Sequence, residues 1–307
     1  MLSRHQTFWN LYARLVQKPA LALIGYQPLA RKVADLNAVL TLKAPADLRL
    51  TDRTLTHADQ TVKVTLCQTG LEPAGGTMLY LHGGAFMIGN LRMYRHLVAR
   101  LGDAAGQRAY FLHYGLAPEH PYPIALDQAT VAYQALCADP DAGPISIAGD
   151  SAGGNLVFAL LHRICSRDLP RPAAVVALSP LTDMRMTGAS LRTNAKSDHL
   201  VAPSWARRGK ESYRAGHDPA DPELSPVLGD FTGAPPCLIH ADDTEILLDD
   251  ARAIADALRA QGVSVEVNIS HGRTHVWHLN VGRSPEADAS VAEIGQFIQR
   301  VTSPKSP

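Results

Sequence analysis

Ile145-Ser146-Ile147-Ala148-Gly149-Asp150-Ser151-Ala152-Gly153-Gly154-Asn155 is the stretch on which the fold turns. The apolar run Pro144 to Ala148, read as a strand, leads into Gly-Asp-Ser-Ala-Gly, and a run of helical character follows from Asn155 to Ile164. This is a GxSxG pattern in strand–turn–helix context. So sharp a turn strains the backbone at its central residue, while small neighbours let the chain approach itself and lift the serine hydroxyl above the sheet. The helix start also leaves unpaired N–H groups beside Ser151. A glycine-rich turn or a phosphate loop is the other reading, but no Gly-Lys-Ser/Thr follows and no GxGxxG is present.

Outward from this stretch, continuous apolar runs recur at Met78 to Leu81, Ala109 to Leu112, Ala173 to Leu178 and Cys237 to Ile239, with a mixed run from Val263 to Ile269. Continuous runs fit strands covered on both faces. Helical patterns lie between them at about 94–105, 124–138, 152–166, 249–261 and 286–301. This alternation predicts an α/β protein with a parallel sheet wrapped by helices. Thr61 to Cys67 alternates instead, which predicts a half-buried antiparallel strand at the sheet edge. Residues 1 to about 45 read as helical, with Phe8, Leu11, Tyr12 and Leu15 at helical spacing as a packing face. The polar stretch 184–225 breaks the rhythm and reads as part of a cap. The division expected is therefore 1–45 (cap), 46–183 (core), 184–225 (cap insertion) and 226–307 (core), with a frayed tail from Ser303 to Pro307.

Two further motifs complete a chemistry that a serine alone lacks. His82-Gly83-Gly84-Ala85-Phe86 follows a strand, and glycines at 83 and 84 suit a loop whose function is its backbone. With the N–H of Ala152, those of Gly83 and Gly84 form a three-donor oxyanion hole in this reading; a plain turn is the bland alternative. A serine hydroxyl needs a base, and His275 follows the last strand, in the position a base takes when it comes after nucleophile and acid. His271, His275 and His278 match no metal-site spacing, and no metal is expected. His271 and His278 read as loop or packing residues. The acid must lie between Ser151 and His275, and the segment after Ile239 offers Asp242, Asp243 and Glu245. Spacing alone does not choose among them. Asp249 and Asp250 read as the first turn of the next helix, where acids favour the dipole.

Composition narrows the class. The 307 residues carry 29 basic and 29 acidic side chains with no run of one sign, which argues against a nucleic-acid partner. Four dispersed cysteines read as small apolar residues in a reducing compartment, so a cytoplasmic location is expected. The apolar residues from Phe8 to Ala30 are interrupted by Arg14, Gln17, Lys18, Pro19, Gln27 and Pro28, too often to span a bilayer, and no membrane partner is expected.

The HGGAF stretch, Leu116-Ala117-Pro118-Glu119-His120-Pro121, the GDSAGG run 149–154, the acid segment and His275 together resemble the bacterial hormone-sensitive-lipase-like esterases, over roughly residues 75–300. The resemblance implies the α/β-hydrolase fold with a helical cap, a serine carboxylesterase acting on short acyl esters without a cofactor, and a homodimer. Matching Leu247 to the family's leucine implies Glu245 as the acid; the resemblance also makes substrate choice depend on the cap, with Phe86, Trp205 and Tyr213 as pocket walls. Three positions depart from the family pattern: Asp242 stands at its usual glycine, Ala85 at a third glycine, and Gly115 where an arginine often precedes LAPEH. The same constellation would serve a lactone, an amide or an acetyl group. A ligand-binding protein on this fold, of the kind that has lost the histidine, is the reading outside catalysis, and His275 speaks against it.

Overall fold

In a computed structural model, residues 2–73 and 75–303 are described, and the tail from Pro304 expected to fray lies outside them. Eight strands form one sheet: β1 (Arg49–His57), β2 (Gln60–Gln68), β3 (Thr77–Leu81), β4 (Arg108–Leu112), β5 (Ile145–Asp150), β6 (Ala174–Leu178), β7 (Cys237–Asp242) and β8 (Val265–Ser270). Their spatial order is β1-β2-β4-β3-β5-β6-β7-β8. From β4 to β8 every pairing is parallel, whereas β2 runs antiparallel to both β4 and β1. Every residue of β3, β5, β6 and β7 is buried, as the continuous apolar runs demand.

The alternating strand around Val62 and Val64 is antiparallel but is not the edge. β1 lies outside it, paired from Arg49 opposite Gln68 to His57 opposite Gln60. No residue of β1 is fully buried, so it carries no apolar pattern by which to be read.

The helices are α1 (Arg4–Tyr12), α2 (Lys18–Leu23), α3 (Gln27–Thr41), α4 (Leu91–Ala105), α5 (Ile124–Ala138), α6 (Ala152–Ser166), α7 (Ser190–Thr193), α8 (Pro203–Arg214), α9 (Leu248–Ala260) and α10 (Pro285–Thr302), with a π-helical turn at Ala13–Gln17 joining α1 to α2. One apolar core gathers side chains of α5, α6 and α9, including Tyr133, Phe158 and Ile254. A second gathers α4 and α10, including Leu97, Phe297 and Ile298. Helices thus cover both faces of the sheet, and the loops at the carboxyl ends of its parallel strands are left to build a site.

The helical N-terminal segment does not pack as its apolar spacing predicts. α1 turns Gln6, Asn10 and the following Ala13 inward, at i, i+4 and i+7, and leaves Phe8, Leu11 and Leu15 exposed. Polar groups on the surface beneath dictate this. Asn10 Nδ2 donates to Gly272 O (2.6 Å), Gln6 Nε2 donates to Thr274 Oγ1 (3.3 Å), and Ser284 Oγ donates to Gln6 Oε1 (3.0 Å). Buried amides find partners there that leucines could not satisfy. The N-terminal helices also bind the 184–225 stretch: Lys18 Nζ donates to Ala195 O (2.9 Å) and Asp198 O (2.6 Å), and Arg208 donates to Ile24 O (2.6 Å) and Ala22 O (3.1 Å).

Candidate active site

Ser151 sits between β5 and α6 at φ 52°, ψ −116°, a conformation that costs an L-residue of order 1–3 kcal/mol and persists only where the surroundings impose it. Here they do. The Ser151 N–H donates to Leu178 O on β6 (2.8 Å), and its carbonyl accepts from Asn155 and Leu181 N–H (each 3.1 Å). The flanking glycines are required by close approach: a Cβ at Gly149 would lie 2.5 Å from Leu81 O, and one at Gly153 would collide with Leu81 O and His82 O.

Asp150 anchors the neighbouring loop. Its Oδ1 accepts from Gly83 N–H (2.9 Å) and Tyr80 OH (2.8 Å), and its Oδ2 accepts from Tyr94 OH (3.1 Å). Burial pushes this carboxyl up to about 6 against the opposing effect of those hydrogen bonds. His82 is clamped as well, stacked between Phe111 and Tyr114 at ring separations of 5.1 and 4.2 Å, with its carbonyl accepting from Tyr114 OH (2.6 Å). Burial holds its imidazole down, at about 4.

The three amides expected from sequence to form an oxyanion hole are differently placed. The Gly83 N–H is committed to Asp150, and Gly83 does not line the cavity in front of Ser151, whereas Gly84, Ala85 and Ala152 do. The peptide N–H groups of Gly84 and Ala85 have no protein acceptor among the described residues. Ala85 at φ 54° and Phe86 at φ 60° continue the loop in the left-handed region, so a non-glycine stands where the family has glycine. Gly209 of α8 makes this possible, since a Cβ there would come within 2.7 Å of both Cβ and O of Ala85.

On the opposite side, of the three carboxylates in the acid segment Glu245 is the one that reaches His275. Glu245 Oε2 lies 2.7 Å from His275 Nδ1, while Oε1 accepts from Ser179 Oγ (2.7 Å) and Asp242 N–H (3.1 Å). Asp242 instead shapes the histidine loop, accepting from Gly272 N–H (3.1 Å), Arg273 N–H (2.8 Å) and Thr244 Oγ1 (2.7 Å). Asp243 meets His271 on the surface at 2.5 Å. His278 is buried against His240, whose Nδ1 lies 3.1 Å from its Nε2. The three histidines of this loop therefore have separate partners. Burial alone would lower the His275 imidazole, but the charge and hydrogen bond of Glu245, with Asp198 and Asp150 behind, raise it overall. Asp249 and Asp250 do open α9, as expected, yet Asp250 is buried and accepts from Thr182 and Asp183 N–H (2.7 and 2.9 Å).

Ser151 and His275 face the same cavity, of about 330 Å³, walled mainly by apolar side chains. Phe86 and Trp205 line it. Tyr213 does not: it stacks behind Phe86 at 3.8 Å, with rings 3° from parallel, and supports that wall from outside. The N-terminal helices line the cavity too, through Trp9, Tyr12, Leu36 and Leu40, residues that sequence reasoning did not name as pocket walls. Sequence reasoning also missed Arg31 of α3, which donates to Met87 O (2.9 Å), Ala117 O (3.0 Å) and both Glu119 oxygens. A guanidinium thus reaches the LAPEH loop from elsewhere, while at Gly115 even a Cβ would press within 2.7 Å of His120.

Comparison with known proteins agrees with this geometry. Residues 78–279 match the family described as the alpha/beta hydrolase fold. An acetyl-hydrolase of Streptomyces hygroscopicus is 40% identical over 229 residues, covering 74% of this chain and 77% of the relative. The crystal structure of EstE5 superposes with a TM-score of 0.90 at 31% identity, covering 98% of this chain and 99% of the other. An esterase of the bacterial hormone-sensitive lipase family superposes with a TM-score of 0.87 at 30% identity, covering 99% and 100%.

Proposed function

The chain belongs to the α/β-hydrolase fold family and is an esterase of its bacterial hormone-sensitive-lipase-like branch, and on that premise we propose that Ser151, His275 and Glu245 form its catalytic triad. The observation that carries the assignment is the 2.7 Å contact between Glu245 Oε2 and His275 Nδ1. It orients the ring so that Nε2 is the free base, on a cavity shared with Ser151. His275 takes the Ser151 proton as Oγ attacks the ester carbonyl. The N–H groups of Gly84, Ala85 and Ala152, residues that border that cavity, hold the oxyanion, and Glu245 stabilises the imidazolium. The alcohol leaves with that proton, and water repeats the sequence on the acyl-serine. No step calls on a metal or a cofactor.

Short acyl esters are the substrates that best suit the site, with Phe86 and Trp205 as walls. A small acyl group also agrees with the acetyl-hydrolase relative. We further assign 1–45 and 184–225 to a two-part cap over a core of 46–183 and 226–307, supported by the Lys18 and Arg208 bonds between the two cap pieces. Four unpaired cysteines suit a cytoplasmic enzyme, and a homodimer, testable by light scattering, follows from the family likeness. Ser151→Ala should lower kcat on a nitrophenyl acetate by about 10⁴ or more. A variant that kept a tenth of wild-type turnover would defeat the assignment.

A further inference from the structure

Fifteen large apolar side chains are exposed among the described residues, and eleven of them lie between Phe8 and Leu40. They are ordered by helical spacing. Phe8, Leu11 and Leu15 make one stripe, while Leu29, Val33, Leu36 and Leu40 make another along α3, with Leu23 82% exposed between them. The two stripes belong to helices joined by the Tyr12–Asn37 hydrogen bond (2.6 Å). Concentrated apolar exposure of this kind marks an interaction surface rather than ordinary surface scatter.

Charge identifies the occupant. Residues 1–45 contain six basic side chains against one carboxylate, Asp35, a net charge of +5 that leaves −5 on the rest of a neutral chain. Asp35 is already bound by Asn90. Lys18 and Arg31 are spent on backbone carbonyls and Glu119. Arg4, Arg14, Lys32 and Lys43 are exposed, with no ion-pair partner among the described residues. A second copy of the same face would bring like charges together, whereas an anionic lipid surface offers both acyl chains and negative headgroups. The cavity points the same way: Val33, Leu36 and Leu40 are at once exposed and part of its wall, so the exposed apolar face shares side chains with the cavity that holds Ser151.

We propose that the N-terminal helices are a docking surface for an anionic lipid aggregate, lying on it rather than spanning it, and that the cavity opens toward that surface. This replaces the expectation of no membrane partner. The docking itself is independent of serine chemistry, and only the delivery of substrate along the cavity rests on the esterase reading.

The test is co-sedimentation of the full chain with vesicles of phosphatidylglycerol mixed with phosphatidylcholine, against phosphatidylcholine alone. The proteins compared are wild type, Ser151→Ala, the double variant Leu11→Ser with Leu15→Ser, and the double variant Arg14→Glu with Lys32→Glu. None of the four surface residues lines the cavity, so hydrolysis of soluble nitrophenyl acetate reports that each surface variant is folded. Wild type and Ser151→Ala should bind the anionic vesicles alike. Binding should fall about tenfold or more in either double variant and in high salt, with acetate turnover unchanged. Equal binding to both vesicle types, no binding at all, or surface variants that bind as wild type would overturn the docking. A wild-type dimer in light scattering that the leucine variant splits would also overturn it, by assigning the face to a second copy. Loss of hydrolysis assigned elsewhere than Ser151, with vesicle binding intact, would count against the triad alone.

Discussion

Both oxygens of Glu245 are occupied, one by His275 and the other by Ser179 Oγ and Asp242 N–H, so the carboxylate has little freedom to turn away from the ring. Glu245→Gln keeps the shape but removes the charge that favours imidazolium, and kcat should fall by about 10³ to 10⁴. The sign of the pH effect follows from the raised His275. A general base works only when neutral, so kcat/KM is retained above its folded-state pKa and lost as pH falls through it. The acid limb of the wild-type profile should lie above the ordinary 6.5 and shift to lower pH in the residual activity of Glu245→Gln. A limb that stayed in place would mean another group controls it. Ser179→Ala removes one donor to Glu245 and should lower kcat by a smaller factor, with KM unchanged. At this scale Ser151 and His275 could be singled out from motif and order, because their chemistry needs particular residue types at particular points in the chain. Which amides face the cavity could not: that depends on Asp150 taking the Gly83 N–H, a contact between positions 67 residues apart.

Among the elements, the buried strands were readable because covering both faces of a sheet demands unbroken apolar runs. β1 was not, since an exposed edge imposes almost no such demand. α1 misled for the opposite reason. Its apolar spacing is genuine, but Gln6 and Asn10 meet buried polar groups of the His275 loop, and those bonds set which face turns inward. α8 approaches the HGGAF loop through Gly209, so Gly209→Ala should force helix and loop apart. A cost of about 1–3 kcal/mol is expected from such overpacking, read as a lower urea midpoint together with reduced turnover. Unchanged values for both would show that the helix shifts freely.

Over the whole molecule, α5, α6 and the 184–225 stretch are joined at Arg163 of α6, whose side chain is 4% exposed. It binds Asp127 on α5 (2.7 Å), Thr130 (3.0 Å) and, through Nε, Glu223 in the 184–225 stretch (2.7 Å). Burial would raise the Glu223 carboxyl, yet Arg163 and Tyr122 hold it below the ordinary range overall. Its contribution to stability is therefore present above the ordinary carboxylate pKa and lost as pH falls through the lower folded value. Arg163→Met should cost about 3 kcal/mol near neutrality and narrow the stability gap to wild type in acid, as followed by urea unfolding across pH. The N-terminal segment has a different dependence on the rest of the chain. Its Ser3 bonds Glu286, its Asn10 bonds Gly272 and its Lys18 bonds Asp198. Translation thus delivers this segment before any surface on which it can settle. α3 can be moored once Met87, Asn90 and Glu119 have been made, but α1 gains its anchors only after Gly272 and Glu286 leave the ribosome, so the part of the pocket wall that α1 provides is among the last features to exist.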